Sequence, residues 1–307
     1  MTPTGAPLVS VVIPSYNQAR FLGEAIESAL GQSHPSTEVV VADDGSTDES
    51  VAIAERYPVR LVRHANMGVS PTRNAGLAAS RGDLVVFLDG DDRLMPDALA
   101  TGVRELAAEP TAAFAAGRYR HIDLAGAPGR VYTWGNATGS VYEQLLKWNI
   151  IGMLATVIFR REALPEVAFE PTLRSAEDWD LYLRIVRDHP VRLHDAIVAE
   201  YRRYPHSKSG NPARMLGATM AVLDRQREWV RAHPAFATAL REGVRQHCEW
   251  YGTKAVDDVL HCLREPALRA TAGPKVAMLA RHYPLGAMRH LAGRVRDKLS
   301  PGARNGG

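Results

Sequence analysis

Two periods of apolar residues divide the first 110 positions. Residues 8–13, 38–42 and 84–88 are apolar, β-branched runs that each end in a polar, turn-prone cluster, the pattern of strands. A shorter run at 59–62 joins them. Between the first two, Phe21, Ala25, Ile26, Ala29 and Leu30 fall at helical spacing, and a further helix is predicted over about 71–79. Strands that alternate with helices in this way predict βαβ units on a parallel sheet. Ligands of such sheets sit beyond the carboxyl ends of the strands, which is where the polar clusters fall.

From 111 to about 205 the pattern shortens. Strands are predicted at 112–116, 155–159 and 196–201 and helices at 142–148 and 177–188, completing the same sheet. After Pro212 the periodicity is helical almost throughout, with Pro234, Pro266, Pro274 and Pro284 each expected to end or kink a helix. The expected organisation is an α/β domain over 1–210, in halves 1–110 and 111–210, followed by a helical C-terminal extension over 211–307.

Composition narrows the class. At 307 residues and 46% apolar content the chain can bury a large core. The longest uncharged apolar stretch near mid-chain, 150–159, is half of the roughly 20 residues that a spanning helix needs. Residues 1–10 show no basic start followed by an apolar signal core, so a cytoplasmic location is expected. Cys248 and Cys262 are too few for a disulfide framework and lack partners at zinc-ligand spacing. The net charge of +3 is uneven: residues 264–307 carry nine Lys/Arg against two acids, leaving 28 against 32 for residues 1–263. The basic excess is C-terminal, and no nucleic-acid partner is expected.

The candidate chemistry lies at three strand ends. Val86-Phe-Leu-Asp-Gly-Asp-Asp92 delivers three carboxylates to one turn, where mutual repulsion raises their pKa values unless a cation intervenes. A hard divalent ion suits that need, since Mg²⁺ divides its coordination between one or two carboxylates and substrate phosphates. An acidic turn capping the next helix gives the same letters. Val39-Val-Val-Ala-Asp-Asp-Gly-Ser-Thr-Asp48 places Asp44 where it can accept hydrogen bonds from a base or a ribose, or simply support the turn. Val11-Val-Ile-Pro-Ser-Tyr-Asn17 sets Tyr16 just after the first strand, as a plate for a planar base.

Together these segments resemble glycosyltransferase family 2, whose members have a GT-A fold and invert the anomeric centre. The matching text is Val9-Ser-Val-Val-Ile-Pro-Ser-Tyr-Asn17, Val41-Ala-Asp-Asp-Gly-Ser-Thr-Asp48, Asn66-Met-Gly-Val-Ser-Pro-Thr-Arg-Asn-Ala-Gly76 and Phe87-Leu-Asp-Gly-Asp-Asp92, with a looser match at Ala176-Glu-Asp-Trp-Asp-Leu-Tyr-Leu-Arg184. The resemblance implies a mostly parallel GT-A sheet flanked by helices, with a Rossmann-like nucleotide-sugar half over 1–110 and an acceptor half over 111–210. It also implies a nucleotide diphosphate sugar donor, most simply a UDP-sugar, and a sugar, lipid-linked or small-molecule acceptor. It assigns Pro14, Tyr16 and Asp44 to the base pocket, with Arg73 beside it. Asp89 approaches the ribose and, through water, the metal, while Asp91 ligates Mn²⁺ or Mg²⁺. Arg73 has a second reading, as an internal partner of the strand-end carboxylates.

Glu177, Asp178 and Asp180 are equal candidates for the base on residue type alone, or a helix N-terminal acid cluster favoured by the dipole. The family pattern selects Asp178. The chain departs from its relatives at Tyr201-Arg-Arg-Tyr204-Pro-His206: tyrosine stands at the expected histidine position, and His206 is the substitute candidate for the metal. A non-catalytic nucleotide-sugar binding protein is the rival reading, with a nucleotidyltransferase behind it for want of a Gly-rich, basic first loop. The basic helix predicted over about 285–299 aligns Met288, Leu291 and Val295, a stripe suited either to packing inward or to peripheral contact with the inner face of a membrane.

Overall fold

The computed structural model describes residues 5–133, 139–204 and 210–299, with side chains to 294. The chain falls into two compact units, Met1–Leu145 with Asn149–Tyr204 and Leu146–Trp148 with Pro205–Gly307.

The first unit is built on one mixed sheet. Its strands are β1 (Val9–Ser15), β2 (Thr37–Asp43), β3 (Arg60–Arg63), β4 (Leu84–Phe87), β5 (Arg93–Leu94), β6 (Phe114–Ile122), β7 (Pro128–Val131), β8 (Val157–Arg160) and β9 (Arg192–Arg202). They run in the order β3-β2-β1-β4-β8-β6-β9-β5, with β7 paired to β6. β3, β2, β1 and β4 are mutually parallel, as the βαβ pattern requires. Beyond β4 the sheet changes character. β8 is antiparallel to both β4 and β6, and β6 is parallel to β9. Every residue of β1 is buried, so helices cover both faces. One of them, α1 (Leu22–Leu30), buries Leu22, Ala25, Ile26 and Ala29, while Leu30 turns outward.

Helix α3 (Val69–Ala79) follows the short α2 (Ser50–Ala54) and lies against β1 and β2. The contact is close because residue 76 is glycine: a Cβ there would meet Val12 Cγ1 at 2.4 Å and Ala42 Cβ at 3.3 Å. Asn74 fastens the same helix to a distant loop, its amide donating to Phe169 O at 2.7 Å and its Oδ1 accepting from Phe169 N at 2.9 Å. Helices α4 (Ala98–Ala108), α5 (Val141–Lys147) and α6 (Glu177–Val186) follow in the chain.

The second unit is helical: α7 (Pro212–Ala232), α8 (Ala237–Arg264), α9 (Ala272–His282) and α10 (Pro284–Leu299). Asn211 caps α7 by accepting from Arg214 N at 3.0 Å, with Pro212 in the first turn. Pro284 starts α10, whereas Pro274 lies in the first turn of α9, where a missing N–H costs no hydrogen bond. That proline therefore neither ends nor kinks its helix.

Candidate active site

Sheet register brings the two acidic strand ends of β2 and β4 to either side of the β1 end. Ser15 pairs with Asp43, and Val12 pairs with Phe87, so the chain leaving β4 passes Pro14 as it reaches Asp89. Leu88 N donates to Val12 O at 2.9 Å, extending that pairing by one residue.

Asp44 is buried, and its two oxygens accept from Met67 N at 2.7 Å and Gly68 N at 2.9 Å. It thereby fixes the entry to α3, where Gly68 takes φ 96°, a value that side chains rarely adopt. The His64 ring also approaches it, with Nδ1 3.4 Å from Asp44 Oδ1. Tyr16 is 47% exposed at the end of β1, and the next residue, Asn17, holds a left-handed φ of 52°. Asn17 is locked there by Thr47 N donating to its Oδ1 at 2.8 Å.

Arg73 spans two carboxylates. Its guanidinium donates to Asp89 Oδ1 at 2.6 Å and to Glu177 Oε1 at 2.5 Å. Burial opposes its charge, but those two anions outweigh it and raise its pKa. Asp89 keeps 39% of its side chain in water, so this end of the bridge faces the cleft.

Asp91 and Asp92 are held differently. Burial and the charge of Asp89 push the Asp91 carboxyl above its usual range, against a hydrogen bond from Tyr204 Oη to Asp91 Oδ2 at 2.8 Å. Asp92 is forced still higher by burial, Asp91 and Asp89, and its Oδ1 accepts from Arg202 N at 2.8 Å. The Arg202 side chain, 1% exposed, ties this turn to the rest of the unit. It donates to Asp91 O at 2.9 Å, to Asp123 O at 3.1 Å and to Glu24 Oε2 at 2.7 Å.

Asp178 lies in the first turn of α6, which is entered through Ala176 at φ 60°. A non-glycine residue there is strained, and such strain concentrates at functional sites. Burial first, and the neighbouring Glu177 charge second, push the Asp178 carboxyl up to about 7, with Arg73 pulling the other way. Asn149 Nδ2 approaches its Oδ2 at 3.5 Å. Asp180, the third candidate, is consumed by a 2.9 Å ion pair with Arg184 on its own helix.

Arg73 thus connects Asp89 and the α6 start, while Asp91 and Asp92 are joined to the Arg202–Tyr204 segment. Arg202, Tyr204 and Asn149 belong to this framework with no role assigned from the sequence, and Glu177, a candidate base there, is instead bonded to Arg73. Tyr204 and Arg202 lie in segment 201–206, where the family pattern leads one to expect a histidine. His206 lies outside the described residues.

Residues 10–167 match the sequence model of the family described as Glycosyl transferase family 2. The chain belongs to that family. The putative teichuronic acid biosynthesis glycosyltransferase TuaG of Bacillus subtilis is 32% identical over 240 residues, which cover 76% of this chain and 92% of that protein. Among solved structures, S. aureus TarS 1-349 in complex with UDP-GlcNAc aligns with TM-score 0.56 at 18% identity over 90% of this chain and 93% of that one. Mannosyltransferase PcManGT from Pyrobaculum calidifontis, in complex with GDP-Man and Mn2+, aligns with TM-score 0.57 at 19% identity over 91% and 86%. The fold is of the GT-A type. Among its described residues no helix is long and apolar enough to cross a membrane.

Proposed function

We propose that this enzyme moves a sugar from a nucleotide diphosphate donor, a UDP-sugar, to an acceptor hydroxyl in a single inverting displacement with Asp178 as the base. The observation that carries the reading is a buried carboxyl poised near 7 at the strained start of α6, joined through Glu177 and Arg73 to the strand-end Asp89. A base with its pKa near the working pH gives the best compromise between being unprotonated and being basic.

In this reading Pro14, Tyr16 and Asp44 form the base pocket, and Arg73 orients Asp89 toward the ribose. Asp178 takes the acceptor proton as the new C1–O bond forms and the C1–O bond to the diphosphate breaks. TarS and PcManGT, bound to UDP-GlcNAc and GDP-Man, support a nucleotide diphosphate donor.

Asp89 and Asp91 fit a divalent ion. They are hard oxygen donors, Asp91 is held above its usual range by burial and then by the Asp89 charge, and the neutral Tyr204 phenol is its hydrogen-bond partner. Among the described residues no cluster of three or more His, Cys, Asp or Glu encloses a metal, so two carboxylates would leave the other positions to phosphate and water. Bound there, Mn²⁺ or Mg²⁺ would neutralise charge on the departing diphosphate.

The α10 surface supports an acceptor presented at a membrane on the cytoplasmic side. Leu285, Met288 and Leu291 are 66%, 59% and 40% exposed, beside exposed Arg281 and Arg289, while His290 and Arg294 turn to Asp257 of α8.

The test is Asp178→Asn. Transfer should fall by roughly 10²- to 10⁴-fold while UDP affinity is retained, because the base acts on the acceptor. A variant that keeps more than about a tenth of wild-type turnover assigns the base to another residue.

A further inference from the structure

The unit formed by Leu146–Trp148 and Pro205–Gly307 carries an aromatic cluster that the transfer step leaves unused. Trp148 stacks on His247 with centroids 4.4 Å apart and planes 1° apart, and Tyr251 lies parallel to both. Trp250 meets Trp148 edge-on at 5.9 Å and 89°. Burial lowers His247 to about 4, so the stack is uncharged at neutral pH. Lys254 Nζ sits 3.6 Å above the Trp250 ring and holds it in place, yet Trp250 is 51% exposed.

An open groove of about 440 Å³ runs along this cluster, lined by Trp148, Arg245, Gln246, Glu249, Trp250 and Thr253. That is within the roughly 300–1,000 Å³ of ligand clefts. Five of the six recur at i, i+1, i+4, i+5 and i+8 on α8, so they share one face. Their chemistry is mixed in a particular way. Indole offers an apolar plate, Arg245 only donates, Glu249 only accepts, Gln246 does both, and Thr253, whose hydroxyl donates to Glu249 O at 2.7 Å, is left to accept. A pyranose has the complementary surface, with a C–H face and a rim of hydroxyls that donate and accept. Four polar groups along the wall do not suit an acyl chain. In the chain, Trp148 directly precedes Asn149, whose amide approaches the Asp178 carboxylate.

We propose that the groove lined by Trp148 and Trp250 binds an uncharged sugar residue of the acceptor glycan. The inference rests on the glycosyl-transfer reading and names the acceptor class for it: an oligosaccharide long enough to occupy a subsite apart from the reacting hydroxyl.

The full chain is titrated with two neutral hexasaccharides, chitohexaose and mannohexaose, following tryptophan fluorescence and saturation-transfer NMR. Saturable binding of either one, weakened about tenfold or more by Trp250→Ala and partly restored by Trp250→Phe, is the expected result. Gln246→Ala should weaken it as well, and UDP affinity and UDP-GlcNAc hydrolysis should match wild type in all three variants. Absence of binding by both sugars overturns the proposal, as does binding that Trp250→Ala leaves intact. Sedimentation that shows the chain self-associating through this face, with Trp250→Ala restoring the monomer, overturns it too. The two readings fail separately: a wild-type chain that binds the hexasaccharide but never turns over a nucleotide sugar refutes the transfer reading and leaves the groove standing.

Discussion

Asp178 shows how much a single side chain's role depends on its surroundings. Three acids lie in the first turn of α6, yet Glu177 is bonded to Arg73 and Asp180 to Arg184, while Asp178 has burial acting on it, opposed by a backbone hydrogen bond from Trp179, and a long contact from Asn149. Because its carboxyl is pushed up to about 7, it is protonated, and useless as a base, at lower pH. The expected profile of kcat/KM is therefore a limb that rises with pH and levels off above about 7, absent in Asp178→Asn; a flat profile from pH 5 to 8 would refute the assignment. Tyr204 makes the complementary case. Its phenol holds Asp91 by a 2.8 Å hydrogen bond, and partners of that kind are worth about 10- to 100-fold in metal affinity. Tyr204→Phe should weaken Mn²⁺ binding to the UDP-loaded chain by that factor in calorimetry, whereas an unchanged affinity would separate Tyr204 from the metal site.

Among the elements, α3 is the one whose sequence is constrained from both ends. Gly68 and Asp44 set its start, and Gly76 lets it settle onto β1 and β2. Alanine at position 76 would gain about 1 kcal/mol of helix propensity, but a Cβ 2.4 Å from Val12 Cγ1 overpacks the interface at a cost of about 1–3 kcal/mol. Packing wins because Val12 is fully buried in a strand hydrogen-bonded on both sides and cannot move aside. Gly76→Ala should lower the urea midpoint with an unchanged m-value, and Gly76→Val should lower it further. A raised midpoint would mean that propensity decides and the contact is loose. The same helix carries Arg73 to Asp89 and Glu177, so its seating also positions the site.

For the whole molecule, the uneven charge and the exposed α10 stripe give a prediction about where the enzyme works. Basic residues near an anionic surface contribute about 1 kcal/mol each, a term that salt screens. The chain should sediment with anionic phosphatidylglycerol vesicles at low salt, less at high salt, and not with neutral ones. Met288→Glu with Leu291→Glu should abolish the binding without unfolding the chain, since both side chains are already exposed. Equal behaviour toward anionic and neutral vesicles would point to a soluble acceptor.

Local pattern alone determined the parallel strands β1 to β4, the helices α1 and α3 between them but not the short α2, the helical C-terminal region and the acid clusters at the strand ends. Each of these is written within a few residues: a period of two or 3.6, a turn glycine, a run of carboxylates. Tertiary structure decided the rest. The sheet turns mixed at β8 because β4 pairs with residues some seventy positions away, and no local period encodes a partner. Glu24 and Arg202, 178 residues apart in the chain, meet around the Asp91–Asp92 turn, and Arg73 reaches Glu177 across 104 residues. Such pairs are chosen by register and burial, which also set the Asp178 pKa; the order of letters names the charged groups, and only the folded chain decides which of them neutralise one another.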